Sequence, residues 1–152
     1  MIFIPEIFMS LGFLVILIIS VFLKKNSHII VGYLSLILIF LTQFFVLKDI
    51  FLFEEIFNSF FVIDSFGSFL KSIILISAGL VIYFYLIVRN EISLQRPEFL
   101  LITLIAIIGM MLMVSSNDLL SLFVSLELQS LALYILVSFS KDDFNSSEAG
   151  VK

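Results

Sequence analysis

The stretch FLLITLIAIIGMMLMVSSNDLLSLFVSLELQSLALYILVSF, from Phe99 to Phe139, decides the fold. Two unbroken apolar runs, Phe99–Val114 and Leu119–Phe139, flank the short polar segment Ser115 to Asp118. Crossing the ~30 Å hydrocarbon layer of a bilayer takes about 20 mostly apolar residues as a helix. Apolar residues in these runs are continuous, without the period-two alternation of a barrel strand, so each reads as a membrane-spanning helix. Working outward, Ile4–Leu23, Ile29–Leu47 and Phe66–Val88 have the same character. The expected architecture is all-α, a polytopic bundle of about five transmembrane helices in a single domain over residues 1–152.

Composition agrees. Of 152 residues, 62% are hydrophobic and 13% charged, about half the ~25% charge of ordinary soluble domains. With no Cys, disulfides, thiolate metal sites and iron–sulfur ligation are excluded. A net charge of −4 with eight Lys and Arg offers no basic patch for nucleic acid. Met1 to Leu23 lacks a basic start and a small-residue cleavage site, and is expected to be a retained span. Between the second and third spans, Phe51 to Phe61 (FLFEEIFNSFF) mixes aromatics with Glu54 and Glu55, and is expected to lie along the membrane interface as an amphipathic stretch.

Cationic residues set the expected orientation. Loops after the first, third and fifth spans carry Lys24, Lys25, Arg89, Arg96, Lys141 and Lys152, whereas those after the second and fourth carry only Lys48. Lys71 lies within a span. By the positive-inside rule the N-terminus is outside and the C-terminus inside.

Ionisable groups within the spans carry the functional reading, because a charge at mid-bilayer costs on the order of 2.5–3.5 kcal/mol and calls for a partner, a watery cavity or a role in ion transfer. Glu127 lies nine residues into the fifth span. Ser130 and Tyr134 fall on its side of the helix, while Ser121, Ser125 and Gln129 form an i, i+4 stripe on another. A helix polar on two sides is expected to be surrounded by protein. Glu127 accordingly marks a proton or ion path, with a neutralised structural carboxyl as the plainer alternative. Lys71, six residues into the third span, is placed either to snorkel to the headgroups or to join a relay. Asp64 and Asp118 read as helix-start caps, His28 as a solvated loop residue, and Gly109 with Met110, Met111 and Met113 as helix packing.

Several of these strings form a resemblance. Glu98 to Lys152, above all ELQSL…Y (Glu127 to Tyr134) followed by SEAGVK (Ser147 to Lys152), resembles subunit 2 of NADH:ubiquinone oxidoreductase, an antiporter-like membrane subunit of respiratory complex I. IPEIF (Ile4 to Phe8) resembles the Pro-Glu start of that family, and FVIDSFGSFLK (Phe61 to Lys71) the beginning of its third helix. The resemblance implies part of a fold of about fourteen helices, with two inverted five-helix units. It places Glu127 in a proton path, implicates Lys152, and sets Asp64 and Lys71 at motif positions. The lysine expected to pair with Glu127 belongs to a seventh helix that this chain does not contain. Implied partners are other membrane-arm subunits, membrane lipids, and a separate chain supplying the remaining helices of a split subunit. NADH, flavin, iron–sulfur clusters and quinone would be handled by other subunits, with no cofactor in this chain. The implied location is the mitochondrial inner membrane, multi-pass, or alternatively the bacterial plasma membrane. Competing functions are a subunit of a multisubunit cation/proton antiporter or membrane-bound hydrogenase, and a purely structural assembly subunit.

Overall fold

The five apolar runs form helices because hydrocarbon offers backbone groups no other partner, and a helix satisfies them within one segment. The computed structural model describes residues 4–23, 27–50, 53–56, 60–88 and 97–139. Its helices are α1 (Ile4–Phe22), α2 (Ser27–Asp49), α3 (Ser65–Val88), α4 (Pro97–Ser115) and α5 (Leu119–Val137). All five are long and apolar enough to cross a membrane, within two residues of the expected bounds at each end.

Local chemistry sets several of the ends. Asp64 Oδ1 accepts a hydrogen bond from Gly67 N at 2.8 Å and caps α3. Asp118 caps α5, accepting from Leu120 N at 3.1 Å, while Ser121 completes a reciprocal capping box. Pro97 opens α4, where its missing N–H is one of the donors a first helical turn leaves unused. Within the spans, hydroxyls turn back onto their own helix: Ser35 donates to Val31 O at 2.7 Å and Thr42 to Leu38 O at 2.8 Å. Such back-bonding satisfies them without water.

Of the segment expected at the interface, residues 51, 52 and 57–59 lie outside the described residues, and most of the rest is extended. Glu54–Ile56 (β1) and Phe61–Ile63 (β2) pair as a two-stranded antiparallel hairpin, with Glu55 opposite Val62. β2 is aromatic and β-branched, favouring extended backbone, and its end is tied to the α4–α5 connection. Phe61 bridges Ser116, and the Phe60 carbonyl accepts from Asn117 N at 2.9 Å and Ser121 Oγ at 3.0 Å. The α2–α3 and α4–α5 connections therefore meet at one end of the bundle.

The buried core is drawn from α1 to α4, with Met9, Val31, Leu75, Leu104 and Met111 fully enclosed. α5 is added on one side, where Ser121, Ser125 and Ala132 are buried and Gly109 of α4 lets the two helices close. A Cβ at Gly109 would lie 2.9 Å from Gln129 N, which bears out the packing role read from the sequence. Large apolar side chains cover the outside, including Phe40, Phe84, Leu119 and Phe123. Such a surface suits hydrocarbon or further helices, and the chain is a multi-pass membrane protein.

Candidate functional site

Three helices bring ionisable and polar groups together near the end where the hairpin lies. Glu6 sits in the first turn of α1, Lys71 in the second turn of α3, and Ser115 in the last turn of α4. Lys71 Nζ is 2.5 Å from Glu6 Oε1, with each side chain 3% exposed. Ser115 Oγ donates to the same oxygen at 2.9 Å, with Met111 O 3.1 Å away as its other acceptor. The position of Lys71 along α3 allows a headgroup excursion, but its side chain is enclosed and turned toward Glu6. Lys71 does not snorkel; it is held inside the bundle by a carboxylate.

Glu6 was missed as a site residue. It is an acid in the first turn of an apolar helix, and on sequence alone that is the ordinary place for a carboxylate complementing the helix dipole. The available signal was Lys71 itself: a cation within a span needs a counter-charge, and Glu6 is an acid in the first turn of another span. Of the acids within the five described helices, Glu127 lies deepest, at the middle of α5.

Glu127 lies at the middle of α5 on the side away from the bundle, and its side chain is exposed. Tyr134 on the same side is 59% exposed, and Ser130 Oγ donates to the Glu127 backbone carbonyl at 3.1 Å. The opposite polar stripe is covered: Ser121 and Ser125 are buried, and Gln129 rests against Gly109. Among the described residues only one of the two polar sides of α5 is enclosed, because α4 is the element that packs extensively on it. Lys71 and Glu127 are not brought together; one lies inside the four-helix core and the other on the outer side of α5. Lys152, with Lys24, Lys25, Arg89, Arg96 and Lys141, lies outside the described residues. Lys48 behaves as a surface lysine, its ammonium 4.7 Å above the Phe44 ring at the end of α2.

These features define a polytopic membrane bundle that, among its described residues, keeps an ion pair inside and presents a mid-span carboxyl outward. Residues 116–152 match the family described as NADH:quinone oxidoreductase/Mrp antiporter, transmembrane. Along 97% of its length the chain is similar to NADH-quinone oxidoreductase subunit N of Bartonella bacilliformis, with 38% identity over 155 residues. It is 37% identical to the subunit N of Pelagibacter ubique over 150 residues, and 36% identical to that of Paramagnetospirillum magneticum. The chain spans about 30% of the length of these bacterial relatives. They carry the designation subunit N, where the sequence motifs pointed to subunit 2.

Proposed function

We propose that this chain is an antiporter-like membrane-arm subunit of a proton-translocating NADH:quinone oxidoreductase, of the type called subunit N or subunit 2, and that its residues 1–152 act as one transmembrane domain. The observation that carries the reading is the outward carboxyl of Glu127, set mid-span on α5 within the segment that matches the family. A bare carboxylate facing lipid is expensive. Further helices of the subunit cover that side and supply a lysine close to Glu127. Whether they come from the same polypeptide or a separate one, the chemistry is the same.

A carboxyl in such a site gains a proton when desolvation dominates and loses it when a cation approaches. Alternating the position or charge of the lysine loads and releases Glu127. NADH oxidation, flavin, iron–sulfur clusters and quinone reduction belong to other subunits and drive the alternation. Lys152 contributes on the inside end of the path. The bacterial relatives favour the bacterial plasma membrane over the mitochondrial inner membrane as its location.

The competing reading is a subunit of a multisubunit cation/proton antiporter, which the family description also covers. Purification through a tag on this chain separates the two. Copurifying NADH-oxidising and quinone-reducing subunits support the oxidoreductase; a complex free of redox subunits, exchanging cations for protons, would replace it.

A further inference from the structure

The Glu6–Lys71 contact leaves chemistry unaccounted for. Glu6 Oε1 meets both Lys71 and Ser115, yet Oε2 of the same carboxylate is buried without a hydrogen-bond partner. Ser68, three residues before Lys71, is 1% exposed and its Oγ is equally unpartnered. On α2, Gln43 donates Nε2 to Ser72 Oγ at 3.0 Å while its Oε1 is buried and unpartnered. Ser68, Lys71 and Ser72 stand at i, i+3 and i+4, one face of α3. That face gathers three unsatisfied buried oxygens around an ion pair. Buried polar atoms are nearly always hydrogen-bonded, and where protein supplies no partner an internal water does.

From this arrangement we infer that Glu6, Lys71 and Ser68, extended by Ser72 and Gln43, form an internally hydrated proton-exchange site separate from Glu127. A pair suits this better than a lone acid, because both its resting ammonium–carboxylate form and the amine–acid form made by transfer between the partners carry no net charge in the interior. Lys71 Nζ hands a proton to Glu6 Oε1, giving a neutral amine and a neutral acid. The terminal torsion of a glutamate side chain is broad and two-fold, so rotation carries that proton to the hydrated position of Oε2, where water removes it. The Lys71 amine then takes a proton from water beside Ser68, restoring ammonium and carboxylate. One proton enters, one leaves, and the steps run in either direction. The direction of net flow rests on the proton-translocating reading above; the site itself rests only on the packing of α1 to α4.

Arginine distinguishes this from a purely structural ion pair, since a guanidinium keeps the charge and the hydrogen bonds but does not give up its proton. The experiment is made on the complex purified through a tag on this chain. A high-resolution cryo-EM map should show water within hydrogen-bonding distance of Glu6 Oε2 and Ser68 Oγ. In assembled Lys71→Arg complex the protons moved per electron should fall. Where arginine impairs assembly, the neutral double variant Glu6→Gln/Lys71→Met, which leaves no buried charge, gives the same reading. Wild-type pumping in an assembled variant, or a dry site in the map, overturns the proposal. The subunits that copurify test the oxidoreductase reading separately, because the hydration result stands whatever they are.

Discussion

Glu6 and Lys71 form an ion pair across helices α1 and α3 inside the membrane-spanning bundle, and Ser115 ties the same carboxylate to α4. Breaking such a pair from one side strands a buried charge, at about 3–5 kcal/mol, whereas replacing both partners with well-packed apolar groups is often neutral. Lys71→Met alone should therefore lower the unfolding midpoint of the solubilised protein markedly, and Glu6→Leu added to it should recover most of the loss. A double-mutant cycle with no coupling between the two positions would show that the pair does not hold these helices together.

Gly109 sets how closely α5 approaches α4. Its missing Cβ would sit 2.9 Å from Gln129 N, a backbone atom that moves only if the helix moves. Gly109→Ala should weaken the α4–α5 contact by about 1–3 kcal/mol, the usual cost of overpacking. Gly79 is the control: a Cβ there would meet Ile39 Cγ2 at 3.8 Å, an ordinary contact. Gly79→Ala should be neutral or stabilising by up to ~1 kcal/mol through helix propensity. Disulfide crosslinking between cysteines introduced on α4 and α5 reads the first effect directly; equal yields in both variants would exclude a close approach at Gly109.

Topology follows from the partition of cations and from the meeting of the α2–α3 and α4–α5 connections through Phe60 and Asn117. Cysteines placed at Lys24 and Arg96 should react from the inside of the membrane, and those at Asp49 and Asp118 from the outside. Labelling of Lys24 and Asp118 from the same side would reverse the assignment of at least one span.

Glu127→Gln keeps shape and most hydrogen bonding while removing the ionisable proton. On the proposed function, assembly should persist while protons pumped per electron drop, with quinone reduction falling as well where electron and proton transfer are tightly coupled. Glu127→Ala is a poorer probe, because it opens space and strands the partner lysine that the proposed function supplies. Normal pumping and turnover in the Gln variant would make Glu127 structural.

The sequence by itself determined the spans, their caps and the mid-span position of Glu127. Unbroken apolar runs in hydrocarbon have one backbone solution, and Asp64 and Asp118 stand one step ahead of the helices they cap. What only the tertiary structure decided was pairing between segments far apart in the chain. Whether Lys71 bends toward the headgroups or turns inward depends on what packs against α3, and no local pattern marks Glu6 as its counter-charge. The hairpin at Glu54–Ile63 depends likewise on Asn117 and Ser121, which hold its Phe60 carbonyl from another loop. On α5, helical periodicity placed polar groups on two sides, but the glycine gap at Gly109 selected the side that closes on α4. Local hydropathy and capping act within a few residues along the chain; charge pairing and close helix approach are settled only where distant segments meet.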